Sequence, residues 1–467
     1  MNASIWWIRR DLRLSDNPAL AAALAQGTAL IPVFILDPKL LASPNAGQKR
    51  LAFLFAGLRS LDADLRQRGS GLVVRQGDPL EVLHTLLHET GGGSLFAEAD
   101  VSSYARRRDE RIMRQLPLKL TPGLTIHPPG TLLKADGTPY TVFTPFSQAW
   151  RSLAFPGRPI PPPAHLPTLP PIALQNLPGS LCHPSSSPYP AGEAEAQRRL
   201  ATFSQSIISR YAIERDRMDI DGTSGLSPYL RFGMLSARQA AWTARDAEAQ
   251  ATDAASRQGA EAWLNELIWR EFYAAILYHF PYVRQMSFRL GLRSIPWRDA
   301  PADFAAWAEG RTGYPVVDAA MRQLQATGWM HNRARMIAAS FLTKDLLIDW
   351  RQGERFFMQH LLDGDPAANN GGWQWTAGTG TDAAPYFRVF NPILQGRKFD
   401  PQGNYVRRWV PELTAIPNEF IHSPWTMPAN LQHHLGCVLG KDYPTPLVDH
   451  DAARQRALAA YQKGRKI

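Results

Sequence analysis

Residues 363 to 375 read Asp-Gly-Asp-Pro-Ala-Ala-Asn-Asn-Gly-Gly-Trp-Gln-Trp, and we start the interpretation of the chain from this segment. Asp, Asn and Gly favour turns and left-handed backbone positions, and no amphipathic period fits the segment. It is therefore predicted to be a structured loop with short helical pieces. A solvated turn does not usually carry two tryptophans beside two aspartates, and loops on a rigid scaffold often carry function. We expect part of the functional site here.

The first 130 residues alternate strand and helix patterns. A short apolar run at 4–8 predicts a buried strand, and the Ala- and Leu-rich segment 18–26 predicts a helix capped by Asp16 or Asn17. Further strands are predicted at 29–36, 71–75, 94–97 and 124–127, with a long helix at 48–68. This order predicts a Rossmann-like parallel sheet with helices on both faces. No Gly-x-Gly-x-x-Gly follows the first strand, so a nicotinamide site is not indicated.

The rest of the chain changes character twice. Residues 156–190 are dense in proline and predict an extended connector over the surface, and from residue 193 onward the pattern is helical almost throughout. We therefore predict three segments. These are an α/β domain at 1–130, a Pro-rich connector at 131–192 and an all-α domain at 193–467.

Composition narrows the class of protein. The chain has 467 residues and 51 Lys plus Arg against 41 Asp plus Glu, a net charge of +10 that suits a polyanionic partner such as nucleic acid. Its two cysteines, Cys182 and Cys437, exclude a disulfide scaffold and a cysteine-based zinc site, and no metal is expected. No signal sequence or membrane span is predicted, so we expect a cytoplasmic protein.

The segment Asp221-Gly222-Thr223-Ser224-Gly225-Leu226-Ser227-Pro228 predicts a helix start, with Ser227 as the cap. Free backbone N–H groups and hydroxyls at such a start could bind an anion. Tyr211 and Arg215, a few residues upstream, would add an aromatic face and a positive charge. Helix capping without a ligand is the alternative.

Two further segments have an unusual composition. In Trp263-Leu264-Asn265-Glu266-Leu267-Ile268-Trp269-Arg270-Glu271-Phe272-Tyr273, helical spacing puts Trp263, Glu266 and Arg270 on one face, which could offer a carboxylate and a stacking wall to a base. A buried helix with a Glu–Arg pair is the alternative. In Gly328-Trp329-Met330-His331-Asn332-Arg333-Ala334-Arg335-Met336, Asn332 and Met336 share a face. One arginine could pair with Asp363 or Asp365 and the other with a phosphate, or both could lie on a solvated basic face.

Taken together, these motifs resemble the photolyase/cryptochrome family, and most closely the class I photolyases for cyclobutane pyrimidine dimers. The resemblance covers nearly the whole chain and is most specific in Thr-Ser-Gly-Leu-Ser, in the helix from Trp263, in Gly-Trp-Met-His-Asn-Arg and in the segment from Asp363. It implies a light-driven carbon–carbon lyase. Photoexcited reduced FAD would pass one electron to a flipped-out dimer in UV-damaged DNA, after which the ring splits and the electron returns.

The resemblance also assigns residues to the flavin. Arg335 would pair with Asp363 beneath the ring system, Asp365 would contact its polar edge, and the Asn369 amide would lie near N5. The full set implied for FAD is Tyr211, Thr223, Ser224, Gly225, Leu226, Ser227, Trp263, Arg270, Trp329, Arg335, Asp363, Asp365 and Asn369.

By the same resemblance, the lesion pocket would be lined by Glu266, Trp269, Asn332, Met336 and Trp375, with Asn369 acting from the flavin side. Trp297, Trp350 and Trp373 match the tryptophan chain that passes electrons to oxidised flavin. Phosphates around the lesion would be bound by Arg215, Arg333, Arg397 and Lys398.

Within the family, Asn332 and Met336 occupy positions where photolyases for six-four photoproducts carry His, which indicates the cyclobutane dimer as the substrate. A blue-light photoreceptor of the cryptochrome type is the alternative function, and a DNA-binding module without catalysis is a third. Folate-binding relatives carry an acid in the segment that corresponds to 104–106, and this sequence has none there, whereas 103–109 resembles the deazaflavin-binding members. A deazaflavin antenna is therefore favoured, and the alternatives are methenyltetrahydrofolate, FMN or an empty antenna site. We expect a monomer.

Overall fold

The structure, a computed structural model, describes residues 3–26, 29–172, 177 and 187–465. The chain forms two compact units, each built from separate pieces of the sequence. The first unit comprises Met1–Ala212, Ser224–Pro281 and Leu362–Ala367, and the second comprises Ile213–Thr223, Tyr282–Leu361 and Ala368–Ile467. The segment bounds predicted at residues 130 and 192 stay a prediction, and part of the Pro-rich connector, including Cys182, lies outside the described residues.

The first unit contains a five-stranded parallel sheet in the order β3-β2-β1-β4-β5, counted over the described residues. The strands are β1 (Ala3–Ile8), β2 (Ala29–Leu36), β3 (Val73–Gln76), β4 (Leu95–Glu98) and β5 (Leu118–Thr121). Every residue of β1 and β2 is buried, because a parallel sheet covered by helices on both faces offers no solvent side. The predicted Rossmann-like sheet is confirmed.

One predicted strand is wrong. The apolar run 124–127 is not in the sheet, and its place is taken by β5, which ends at Thr121. The backbone groups of this run are bonded to side chains instead. The carbonyl of Leu124 accepts from Arg270, and the N–H of Ile126 donates to Glu271. A short apolar run has no periodicity that could distinguish these outcomes.

The described helices are, in chain order, α1 (Pro18–Gln26), α2 (Pro38–Leu41), α3 (Gln48–Gln67), α4 (Pro79–Glu89), α5 (Ser103–Met113), α6 (Phe143–Ser152), α7 (Glu193–Ser206), α8 (Tyr211–Glu214), α9 (Ser227–Phe232), α10 (Ala237–Gln250), α11 (Ala254–His279), α12 (Pro301–Ala308), α13 (Pro315–Thr327), α14 (Asn332–Ser340), α15 (Trp350–His360), α16 (Pro366–Ala377), α17 (Pro392–Phe399), α18 (Asn404–Trp409), α19 (Ala429–His434) and α20 (His450–Arg465). Short 3₁₀ turns lie at Ile208–Arg210, Pro281–Arg284, Leu290–Leu292, Pro411–Leu413 and Pro424–Thr426, and one π-helical turn lies at Phe341–Asp345.

The loop between β1 and α1 separates two residues that the sequence offered as alternative caps. Asn17 caps α1, because its Oδ1 accepts from the N–H of Leu20 at 2.9 Å. Asp16 instead accepts from the backbone N–H of Ile160 at 3.0 Å and from Arg238 and Ser236 on the α10 side. Within the first unit, Asp16 therefore links Ile160 of the Pro-rich connector to the start of α10.

The second unit is helical, as predicted, and its core is formed by buried apolar side chains of α13, α14, α15 and the segments after α16. Pro315 begins α13 and Gly328, at φ +74°, ends it. This is the usual pairing of proline at the first turn and glycine after the last. The next helix, α14, begins only four residues later, so Trp329 to His331 form a tight connection.

The segment from Asp363 is more regular than predicted. Instead of a loop with short helical pieces, it contains the 12-residue helix α16. Asp365 accepts from the N–H of Ala367, which stabilises the helix start, and Pro366 is its first residue. The amides that suggested a loop are bonded inside the second unit, where Asn370 and Gln374 both donate to the carbonyl of Val283. Tertiary hydrogen bonding here overrides local preference.

Candidate functional site

Buried charges of the first unit gather around Asp365. We call this group the arginine–aspartate cluster, and its members are Arg10, Arg50, Arg231, Arg270, Asp100, Asp363 and Asp365. Arg10 pairs with Asp365 at 2.6 Å and with Asp100 at 3.3 Å. Arg231 donates to the carbonyl of Gly364 at 2.8 Å. A small cavity opens beside these groups, lined by Arg10, Val101, Leu124, Arg270, Ala274, Asp365 and Ala367.

The cluster holds more positive than negative groups. Burial, and then repulsion from Arg10, lower the pKa of Arg231 to about 9, and burial lowers the pKa of Arg50 to about 10. Burial alone would raise the pKa of Asp100, but Arg10 lowers it to about 2. Nη1 of Arg231 is buried and has no hydrogen-bond partner among the described residues. An unpaired buried donor in a cationic setting fits an anionic or electron-rich ligand.

The segment around Thr223 to Ser227 was predicted to start a helix with Ser227 as its cap, and this detail is wrong. Ser227 is itself the first residue of α9, and no side-chain capping bond precedes it. Ser224 lies in the turn before the helix, where its Oγ accepts from the N–H of Leu226 at 3.4 Å. Gly225 adopts φ +60° in this turn, a backbone conformation that other residues rarely take.

Helix α11 carries a row of large flat side chains. Trp263 is buried against Phe203, with ring centroids 4.8 Å apart, and Phe203 also contacts Tyr211 at 5.7 Å. Arg270 donates to the carbonyls of Leu124 at 2.8 Å and Leu230 at 3.4 Å. Glu266 is half-buried on the same helix. The helix therefore presents one carboxylate beside its aromatic side chains.

Glu271, which follows Arg270 on α11, is buried and holds the helix in place. It accepts from the indole N–H of Trp150 at 2.7 Å and from the backbone N–H groups of Ile126 and His127. Burial raises the pKa of Glu271 to about 7. Nothing in the motif distinguished Glu271 from its neighbour Glu266, since the partners of Glu271 lie more than 100 residues away.

In the second unit, α14 presents Asn332 and Met336 together, as predicted. The amide nitrogen of Asn332 lies 3.9 Å from the sulfur of Met336, one helical turn away, and Asn332 is exposed. Arg335, on the same helix, donates from Nε to the carbonyl of Met330 at 2.8 Å. Trp375 of α16 is half-buried in this unit.

Arg333 has a partner that the sequence did not reveal. It pairs with Asp216 at 2.6 Å, and its guanidinium lies 4.4 Å from the ring centre of Phe399. Arg397 and Lys398 are exposed at the end of α17, directly before Phe399, and Arg215 is half-buried next to Asp216. The four basic residues predicted to contact DNA therefore lie in two neighbouring segments of the second unit and on α14.

Asn369 is oriented by Glu354. The amide Nδ2 donates to the backbone oxygen of Glu354 at 3.0 Å and to its Oε1 at 3.2 Å. Because Nδ2 is engaged there, Oδ1 is directed away from Glu354 as an acceptor. Burial raises the pKa of the Glu354 carboxyl. Glu354, on α15, is a second residue that the motif did not identify.

The three tryptophans of the predicted chain differ in burial. Trp373 and Trp350 are each 2% exposed, whereas Trp297 is half-buried. A Cβ added at Gly353 would collide with the Trp373 ring, so this ring packs directly on α15. Trp350 lies three residues before Gly353, on the same face of that helix. Trp297 contacts Tyr461 edge-to-face, with centroids 5.8 Å apart.

The described residues contain neither a grouped set of metal ligands nor a helix that could span a membrane. In residues 3–26, 29–172, 177 and 187–465, no three His, Cys, Asp or Glu side chains are grouped so that they could bind a metal. Across those same residues, no helix has the length and apolar character needed to cross a bilayer.

Comparison with known proteins places these features in one family. Residues 4–166 match the family model of DNA photolyase, and residues 263–463 match the model of the FAD binding domain of DNA photolyase. The deoxyribodipyrimidine photo-lyase of Escherichia coli is 41% identical over the full length of both chains.

Two solved structures are similar over almost their whole length. A class III photolyase from Agrobacterium tumefaciens has a TM-score of 0.94 at 38% identity and covers 100% of this chain and 98% of its own. A cryptochrome from Synechocystis has a TM-score of 0.90 at 30% identity, covering 98% and 99%. The α/β fold followed by a helical FAD-binding domain is thereby confirmed, and the chain belongs to the DNA photolyase family.

Proposed function

We propose that this chain repairs cyclobutane pyrimidine dimers in DNA, using light and bound FAD. The observation that carries the proposal is the contact between Asn332 and Met336 on α14, 3.9 Å from nitrogen to sulfur. Photolyases for six-four photoproducts carry His at these positions. An amide and a thioether can bind a dimer edge but cannot supply the proton transfer that an imidazole can.

We propose that FAD is held by the residues that the family resemblance implies. These are Tyr211, Thr223, Ser224, Gly225, Leu226, Ser227, Trp263, Arg270, Trp329, Arg335, Asp363, Asp365 and Asn369. In the second unit, the face of α16 that carries Asn369 is open at Gly372. Gly372 lies three residues further along α16, on the same face, and a Cβ added there would meet no atom within 4 Å.

The chain's own groups position the reactants. FAD, when bound, supplies the light absorption and the one-electron transfer that no protein side chain provides. Asn369 offers its Oδ1 as an acceptor, because Glu354 engages its Nδ2. By the family resemblance, Arg335 and Asp363 would lie beneath the ring system and Asp365 would contact its polar edge. An amide at position 369, unlike an acid, adds no titrating proton beside the flavin.

Side chains of α11 and α16 are proposed to bind the lesion. Glu266 hydrogen-bonds the edge of a pyrimidine and stabilises the charge that the dimer takes up. Trp269 and Trp375 stack on the flipped dimer. Flipping a nucleotide out of the duplex costs about a few kcal/mol, less for a damaged and poorly stacked site, and stacking on the two indoles offsets part of that cost.

Trp297, Trp350 and Trp373 form the route by which an electron reaches oxidised flavin from the surface. The burial order supports this assignment, since the half-buried Trp297 would be the outer member and the two buried indoles the inner ones. A packing role for each indole is compatible with electron transfer.

Four basic residues of the second unit are proposed to bind the DNA backbone. Arg397 and Lys398, exposed at the end of α17, and the nearby Arg215 and Arg333 bind phosphates around the lesion. Since Arg333 is already paired with Asp216, a phosphate would share its guanidinium rather than replace a solvent contact.

The protein acts as a cytoplasmic monomer, with an antenna domain at 1–130, a connector at 131–192 and a catalytic domain at 193–467.

A second chromophore is proposed for the first unit, and a deazaflavin is favoured over methenyltetrahydrofolate or FMN. In the segment 103–109, Tyr104 donates its hydroxyl to Asp37, and the Arg108 guanidinium lies 4.6 Å from the Trp7 ring centre.

The test is repair of oligonucleotides by purified protein whose flavin has been reduced, in light and in the dark. Light-dependent loss of a thymine dimer, with no activity on a six-four photoproduct, is the expected result. Activity on the six-four product alone would overturn the substrate assignment. E266A should lower the affinity for the dimer or the quantum yield, and an unchanged variant would overturn the role of Glu266.

A cryptochrome-type photoreceptor is the second candidate function, because the Synechocystis cryptochrome has the same fold at 30% identity. Retained light-driven flavin reduction without repair in the same assay would favour it. A DNA-binding module without catalysis would show neither reaction. The dark control alone does not separate that module from a repair enzyme.

A further inference from the structure

One contact in the first unit has no role in the function proposed so far. The ring of Phe143, at the start of α6, lies parallel to the indole of Trp269 on α11, with centroids 3.6 Å apart and an angle of 4° between the planes. Trp269 has other aromatic neighbours, but these meet it at its edge or at a tilt. Phe272 is edge-on at 5.6 Å, and Tyr273 is tilted by 34° at 5.5 Å.

We propose that Phe143 is a positioning residue for lesion recognition, which fixes the indole of Trp269 as a rigid stacking surface for a flipped pyrimidine dimer. This inference rests on the proposed repair function and adds to it a residue that does not itself touch the dimer.

The two rings differ in burial, and this difference indicates that Phe143 supports Trp269. Phe143 is 7% exposed and is held edge-to-face at 5.8 Å by Phe272, which is 0% exposed. Trp269 is only half-buried. An indole has two faces, and the buried ring of Phe143 covers one of them. The remaining exposed surface of Trp269 is therefore backed by the core of the first unit rather than by solvent.

This arrangement should matter for affinity. A base can stack on an indole only when the ring plane is in place, and ordering a free side chain during binding costs part of the binding free energy. Because Phe143 lies flat against Trp269, rotation of the indole about its side-chain torsions would break the stack. The ring plane is thus set before DNA arrives, and stacking on each base is a substantial part of the affinity.

The chain supplies a matched control three residues away. Phe146 lies on the same helix, is 2% exposed, and contacts Phe272 at 5.3 Å with a tilt of 62°. It belongs to the same aromatic group as Phe143 but is not stacked on Trp269. A change at Phe146 therefore tests the packing of α6 against α11 without removing the support of the indole.

The experiment measures dissociation constants in the dark for two oligonucleotides of one sequence, with and without a thymine dimer. We expect F143L to weaken binding of the dimer by about threefold to tenfold, and to leave binding of undamaged DNA unchanged. F143Y, which keeps a flat ring, should restore the preference. F146L should keep the wild-type ratio of the two constants even if it lowers the melting temperature.

A double-mutant cycle separates action through Trp269 from a general packing effect. In a W269A background, F143L should produce no further loss of preference for the dimer, because the surface it supports is gone. F143M is made in parallel, since its flexible side chain fills the space if the leucine variant does not fold. Equal preference in F143L or F143M and in the wild type would overturn the inference, and so would an equal loss in F146L.

Failure of the proposed function would look different. If wild-type protein with bound FAD showed no preference for the dimer and no repair in light, the repair function itself would be wrong. If the wild type repaired the dimer while the Phe143 variants kept full preference for it, only the role of Phe143 would be wrong.

Discussion

Glu354 engages the side chain of Asn369 through two hydrogen bonds, from Nδ2 to the backbone oxygen at 3.0 Å and to Oε1 at 3.2 Å. The amide of Asn369 can therefore present only its oxygen on the opposite side. Glu354 is half-buried, and burial raises the pKa of its carboxyl, so its role is to fix an orientation rather than to supply a surface charge.

The first prediction concerns this pair. E354L removes the side-chain acceptor and should loosen the Asn369 amide by the value of one hydrogen bond, about 1 kcal/mol. We expect the reduced flavin of E354L to be re-oxidised by air about fivefold faster in the dark. E354Q keeps an acceptor oxygen and should behave as the wild type does. The decay is followed by absorption of the oxidised flavin.

A surface glutamate provides the control for that series. Glu309 belongs to the same unit, is exposed and pairs with the exposed Arg311, so E309L changes charge and shape at a site away from the Asn369–Glu354 contact. If the reduced flavin of E354L were re-oxidised at the wild-type rate, the orienting role of Glu354 would be contradicted. The same holds if re-oxidation were accelerated equally in E309L.

The second prediction concerns the exposed basic end of α17. R397A and K398A should weaken binding of damaged and undamaged DNA by similar factors, because phosphate contacts carry no sequence or lesion information. Each change should also reduce the slope of log K against log salt by about one. Both quantities come from fluorescence anisotropy at several salt concentrations. K119A, on β5 of the first unit, is the control and should change neither.

The third prediction follows from a buried lysine. Lys344 is 1% exposed, its Nζ donates to the carbonyls of Ala377 at 3.0 Å and Tyr386 at 3.3 Å, and it lies 3.6 Å from the Tyr461 ring centre. Burial lowers its pKa to about 7. The unfolded chain therefore binds more protons than the folded one between pH 7 and the ordinary lysine pKa, and stability should rise with pH across that window.

K344M removes this titration. We expect the free energy of unfolding of the wild type to increase relative to that of K344M from pH 7 to pH 10, with a limiting slope of about 1.4 kcal/mol per pH unit. Calorimetry at four pH values measures it. Parallel curves for the two proteins would show that Lys344 keeps an ordinary pKa in the folded state.

Features that depend on neighbouring residues could be predicted from the sequence. The apolar runs of β1 and β2 are local signals, and each gave the strand it predicted. Local signals failed at 124–127 and in α16. In both places the backbone or amide groups are bonded to distant parts of the same unit, which no short window contains.

The residues that the sequence did not reveal share one property. Glu354 acts on Asn369, Asp216 on Arg333, and Phe143 on Trp269, over separations of 15, 117 and 126 residues. A motif identifies residues by their spacing, whereas these partners are brought together only by folding. They carry ordinary residue types, so composition did not mark them either.

The final prediction concerns Trp297, the half-buried outer member of the proposed tryptophan chain. W297F should slow photoreduction of oxidised flavin, because phenylalanine is much harder to oxidise than an indole, while repair by enzyme reduced beforehand should keep its wild-type rate. Flash photolysis measures the first rate and the oligonucleotide assay the second. Trp425 belongs to the same unit and packs on Tyr314, so W425F is the control for loss of an indole. A variant that photoreduces normally but repairs slowly would show that Trp297 acts on the substrate side and that the electron enters by another route.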